Sequence, residues 1–132
     1  MSVYLELFSD GKESIISEFD IKEKAEEFRD KAVVLVAYYS YEDYSGSAYV
    51  LYEQGGKLYE VWGGHCSCNG LEGQWKPSET SWVALKHGVE KGERFPVGGY
   101  IYGQEAVLNQ TVRTLISEHT GSEVSVGEPN NS

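Results

Sequence analysis

Two adjacent glycines, Gly55-Gly56, sit between runs 48–54 and 57–62, both dense in tyrosine, valine and leucine. Glycine takes positive φ angles without steric cost, and a two-residue hairpin turn demands such angles at both central positions. The pair therefore predicts an antiparallel hairpin, and the turn sets its register. Counting outward places Tyr52 opposite Tyr59 and Val50 opposite Val61 on one face. Tyr49 then lies beside Trp62, and Leu51 beside Glu60, on the other. Both faces carry aromatic or apolar side chains, so the hairpin must be covered twice or present an adhesive surface.

The remaining elements follow from periodicity. Residues 3–8 alternate loosely as a strand and run into Ser9-Asp10-Gly11, a turn signal. A helix is expected from Asp20, where Glu23 completes a capping-box pattern and Ile21, Ala25 and Phe28 share a face. Residues 33–39 are an uninterrupted β-branched and aromatic run, which predicts a central strand covered on both faces. Ser78, after Pro77, is expected to cap a short helix carrying Trp82, Leu85 and Val89. A longer helix is predicted from about Gln104 to His119, striped by Leu108, Val112, Leu115 and Ile116 and stopped by Gly121. Residues 95–102 read as a connector with a short strand, and 122–132 as a disordered polar tail. The sum is an α+β fold in a single domain over residues 1–121: a mostly antiparallel sheet with the Gly-Gly hairpin, packed by about three helices.

Charge narrows the partners. With a formal net charge of -10 and a pI near 4.7, the chain lacks the lysine and arginine excess that neutralises phosphates, so direct nucleic-acid binding and anionic membranes are disfavoured. The same acidity suits a basic protein partner, including one that itself handles nucleic acid. Neither a charged-then-apolar leader nor an apolar run of roughly 20 residues is present, which leads us to expect a cytoplasmic protein. Cys66 and Cys68 are one residue apart, too close for a bridge that would constrain the unfolded chain, and fit a reducing compartment.

Function is expected between Tyr38 and Trp82, which hold seven of the ten tyrosines, all three tryptophans and both cysteines. Tyr38, Tyr41, Glu42, Asp43, Tyr44, Tyr49, Glu60, Trp62, Glu72 and Trp75 are expected to form an acidic aromatic face. Tyrosine supplies contact area at modest entropy cost, and adjacent carboxylates select a basic surface. His65, Cys66 and Cys68, with His87 as a fourth ligand, offer an alternative zinc site, although a single intervening residue strains two thiolates that must turn onto one ion. A phosphate loop is not expected, because the glycine turns lack the spaced lysine and hydroxyl residue that grip phosphate. Nor is cysteine catalysis, since His65 and Cys66 would point to opposite faces of a strand. We therefore expect no catalytic residues and no cofactor outside the zinc alternative. A further alternative is a small-ligand pocket, for instance for a nucleotide signal, with Lys57 and Lys76 as the nearest cations. Exposed hairpin aromatics would also suit a homodimer.

Residues 41–48 (YEDYSGSA), 58–61 (LYEV), 65–68 (HCSC) and 70–75 (GLEGQW), followed by Pro77 and Glu79-Thr80, form a pattern that resembles small uncharacterised bacteriophage and prophage proteins. The resemblance covers roughly residues 38–86. What it implies is a context: an accessory protein in the host cytoplasm that binds and inhibits a host factor, in the manner of counter-defence proteins such as anti-CRISPRs.

Overall fold

A computed structural model describes residues 2–42, 45–65, 70–90 and 105–121, without the side chains of residues 41, 42, 45, 65, 105–107 and 109. The described elements run β1 (Val3–Glu6), α1 (Lys12–Phe19), α2 (Ala25–Lys31), β2 (Val33–Glu42), β3 (Ser45–Gln54), β4 (Lys57–His65), β5 (Ser78–Thr80), α3 (Trp82–Glu90) and α4 (Glu105–Thr120). The fold is α+β, and the chain divides into two compact units, Met1–Glu79 and Thr80–Ser132.

The strands form one sheet in the order β1-β2-β3-β4-β5. β1 runs parallel to β2, whereas β3 runs antiparallel to both β2 and β4. Gly55 and Gly56 adopt φ values of 62° and 80°, and the predicted register follows: Tyr52 pairs with Tyr59, Val50 with Val61, Tyr49 with Trp62 and Leu51 with Glu60. A bulge between Val34 and Val36 adds one residue to β2. It flips the alternation, so that Val34 joins Ala37 and Tyr39 in the same core cluster.

That core lies on the sheet face covered by the first two helices. Phe8, Ile15, Phe19 and Phe28 pack with Val34, Ala37, Tyr39, Ala48, Val50, Tyr52, Val61 and Leu71. The opposite face is interior as well, for Tyr38, Tyr49 and Leu51 are fully buried, which is why residues 34–39 are apolar throughout, while Val33 at the start of the strand is 54% exposed.

The helical start expected at Asp20 is instead a helical end. Asp20 adopts the left-handed conformation (φ 54°, ψ 48°) as the C-cap of α1, which aspartate tolerates better than most residues. α2 begins later, at Ala25, with Lys24 as an N-cap that gives no side-chain hydrogen bond. Two short helices are marginal alone, and here side chains join them. The Lys12 ammonium donates to the carbonyls of Arg29 (3.0 Å) and Ala32 (2.6 Å) at the end of α2, where the helix dipole favours a cation. Arg29 and Glu13 form a bidentate pair that holds the Glu13 carboxyl below its ordinary range.

In the unit Thr80–Ser132, α3 is capped by Ser81 rather than Ser78: the Ala84 N–H donates to Ser81 Oγ at 3.1 Å. Ser78 belongs to β5. Leu85 and Val89 of α3 and Leu108, Val112 and Ile116 of α4 are buried, while Leu115 is only partly so. Trp82 stacks on His119 with ring centroids 4.0 Å apart and planes 11° off parallel. α4 ends as predicted, with Gly121 at φ 75° and its N–H donating to Ser117 at 2.9 Å. No described helix is long and apolar enough to cross a membrane. Residues 95–102 and 122–132, expected as connector and tail, lie outside the described residues.

Close packing explains one glycine of β4. A Cβ on Gly63 would sit 3.0 Å from Leu71 Cδ2 and 3.1 Å from Phe19 Cε1, whereas one on Gly64 would meet nothing within 4 Å. Gly63→Ala should therefore cost about 1–2 kcal/mol in urea unfolding, and Gly64→Ala less than about 0.5 kcal/mol. Equal effects would refute the close approach of Phe19 and Leu71 to this strand.

Candidate functional site

One glutamine builds the site. After β4 the chain turns through Leu71, which is fully buried, and Gly73, whose φ is 79°. Gln74 then reaches back to the strand: its Oε1 accepts the Gly64 N–H at 2.8 Å and its Nε2 donates to the Gly64 carbonyl at 2.8 Å. Nε2 also donates to the Gly70 carbonyl at 2.8 Å. The side-chain amide thus takes the place of a neighbouring strand at Gly64 and closes the 70–74 loop in the same step.

Trp75 follows directly and is delivered onto the aromatic part of the core. Its ring meets Phe19 edge-on at 5.2 Å and Phe28 edge-on at 5.0 Å, and stacks on Tyr52 at 5.8 Å with an interplanar angle of 14°. Tyr59 stacks on Tyr52 from the paired strand at 5.4 Å and 24°, and Phe28 presents its edge to Tyr52 at 5.1 Å. Each such contact adds about 0.5–1.5 kcal/mol beyond the buried area.

The rings do not close the space between them. A cleft of about 510 Å³ remains, lined by Lys24, Glu27 and Phe28 of the α2 region, Tyr52 and Gln54 of β3, Tyr59 of β4, and Trp75 and Pro77. Tyr52 and Phe28 form its buried floor, Tyr59, Gln54 and Trp75 are half-buried, and Lys24, Glu27 and Pro77 are exposed. Among the described residues, no ion pair engages Lys24 or Glu27. Burial, with the nearby Tyr59 and Glu27, pushes the Tyr52 hydroxyl up to about 12, so it stays neutral and serves as a hydrogen-bonding group rather than a base. Among the described residues, the lining holds carboxylate, ammonium, amide and phenol groups but no serine, cysteine or histidine. Such a wall grips a ligand by stacking and polar contact.

The residues singled out from sequence fall in several places. Trp75 lines the cleft. Tyr38 and Tyr49, expected on a docking face, are buried instead, at 0% exposure. Glu60 is buried with them, its Oε1 accepting the Tyr49 hydroxyl at 3.1 Å. The reason is that both faces of the central strands are interior, so a tyrosine's position on the second face does not bring it to solvent. Trp62 is 39% exposed and packs at 4.6 Å on Tyr49, and Glu72 is exposed. The side chains of Tyr41 and Glu42, with Asp43 and Tyr44, lie outside the described residues, as do the His65 side chain, Cys66 and Cys68. His87 is exposed on α3.

Sequence reasoning foresaw the Tyr52–Tyr59 pair but not the cleft. The missed members were Lys24, Glu27, Phe28, Gln54 and Pro77, together with Gln74 as organiser. Phe28 carried a signal as an apolar position in a helical stripe, and Gln74 and Pro77 stood in the 70–77 pattern without a role assigned to them. Family models, curated proteins and solved structures were compared with the chain, and none matches it.

The state of Tyr52 has a measurable consequence. Its folded-state value of about 12 lies above the ordinary 10.0, so the folded chain holds this proton more tightly than the unfolded one. The associated stability is fully present below pH 10.0 and is lost as the pH rises toward about 12. Unfolding free energies of wild type and Tyr52→Phe should diverge over this window, with the wild type falling more steeply. Parallel curves would place the Tyr52 hydroxyl in contact with solvent.

Proposed function

We propose that this protein is a non-catalytic binding protein that engages a basic partner protein and uses the aromatic cleft as its anchor point. The observation that carries the reading is the cleft itself, where Tyr52, Tyr59 and Trp75 stack beside the exposed Glu27 carboxylate. Half-buried aromatic rings in a concave site are the usual energetic centres of protein interfaces. A formal charge of -10 draws a basic surface toward them. In the bacteriophage context suggested by the residue pattern, occupying the basic surface of a host factor would block what that surface binds. The same reading includes Tyr41, Glu42, Asp43, Tyr44 and Glu72 as further acidic and aromatic contacts with the partner.

A second reading is favoured by size. A volume of about 510 Å³ falls within the roughly 300–1,000 Å³ of small-molecule sites, which would suit a protein that sequesters a small ligand.

The test uses the full chain as bait in a bacterial lysate. A basic protein should be captured, less of it as salt is raised. Tyr59→Ala, checked for a cooperative melt, should weaken capture about tenfold, the scale of one interface anchor. Capture that is indifferent to Tyr59→Ala and to Glu27→Lys would remove the cleft from the function.

A further inference from the structure

We propose that the aromatic cleft is a receptor for an arginine side chain presented by a protein. The inference rests on the reading of the cleft as the binding site and names what enters it. Aromatic faces attract cations through their quadrupole, and a planar guanidinium adds stacking to that attraction. Tyr59 and Trp75 are the half-buried rings, and both stack against Tyr52. This wall already stabilises one cation of its own: the Lys12 ammonium lies 5.9 Å from the centre of the Phe28 ring while donating to two carbonyls. Phe28 is therefore engaged, and the incoming group must use Tyr59 and Trp75.

The polar groups point the same way. The Glu27 carboxylate, the Gln54 amide oxygen and the tyrosine hydroxyls can all accept hydrogen bonds, and guanidinium offers five donors in a plane where an ammonium offers three around a point. Of the groups that act on the Tyr52 hydroxyl, Glu27 is the one charged at neutral pH, and its exposed carboxylate lines the same cleft as Tyr59 and Trp75. Lys24 opposes a cation from the rim, and its exposed side chain, on the cap residue of α2, stands one helical turn before Glu27. An anionic planar ligand such as a nucleotide would have to bind Lys24 against Glu27 and against the charge of -10 of the whole chain.

The probe is N-acetyl-L-arginine amide, titrated into the full chain while the Trp75 indole N–H is followed by NMR. Its neutral isostere N-acetyl-L-citrulline amide and adenosine monophosphate serve as comparisons. We expect saturable shifts with the arginine compound alone, about fivefold weaker in Glu27→Gln and equal or stronger in Lys24→Gln. Equal response to the citrulline compound, or a nucleotide response that Lys24→Gln abolishes, would overturn the proposal. Free L-arginine binding more tightly than the blocked amide would make the ligand a metabolite and overturn its protein source. If the arginine compound fails while partner capture still depends on Tyr59, the arginine assignment falls and the binding function stands. If both fail, the cleft is not the site.

Discussion

The Tyr52–Tyr59 pair at the centre of the cleft depends on the turn at Gly55-Gly56. In most hairpins the register is enforced by alternation, because a slip of one residue would carry the apolar set to the solvent side. That enforcement is weak here. Tyr49, Val50, Leu51 and Tyr52 are consecutive in β3 and all buried, so both faces are apolar and a slipped pairing would bury similar area. What distinguishes the native pairing is the two-residue turn, whose positive φ values of 62° and 80° only glycine adopts cheaply at both positions. The turn places Tyr52 against Tyr59 and thereby founds the stacked series that Trp75 extends.

A second constraint comes from a side chain acting as backbone. Trp75 lies beyond the last residue of β4 and has no strand of its own to hold it. Its position is set by Gln74, whose amide satisfies both the N–H and the carbonyl of Gly64. The third bond, to Gly70, closes the loop, and Leu71 anchors it from below in the space that Gly63 leaves free of a Cβ. Held there, Trp75 lines the cleft with Phe28, Tyr52 and Tyr59, beside the exposed Lys24, Glu27 and Pro77.

How much of this was legible in the sequence differs by element for physical reasons. The hairpin register, the strand over residues 33–39 and the stripe of α4 were readable because turn chemistry and period are local. α1 was not, since its N-cap is Gly11 without a side-chain hydrogen bond and its C-cap is Asp20, a residue that more often opens a helix. Ser78 and Ser81 are both acceptable caps, and only the short strand β5 decides between them. Tyr38 and Tyr49 suggested a surface because tyrosine is amphipathic, yet a second apolar face allowed them to be interior. The role of Gln74 is a long-range pairing ten residues back along the chain, with no signature in composition or period.

The acidity of the chain and the chemistry of the cleft act on different steps of the proposed encounter. A charge of -10 spread over the surface produces a field that extends about a Debye length and raises the rate at which a basic protein arrives. It does not discriminate among basic proteins. Discrimination requires contact, and stacking within a half-buried cleft is short-ranged and weakly screened, so it governs how long a partner stays. Glu27 belongs to both, as one more negative charge at a distance and as a directional acceptor at close range. A site made only of carboxylates would bind many cations loosely, and one made only of rings would not select for charge. The pairing of the two on α2, β3 and β4 gives the cleft its proposed preference for a planar cation on a basic surface.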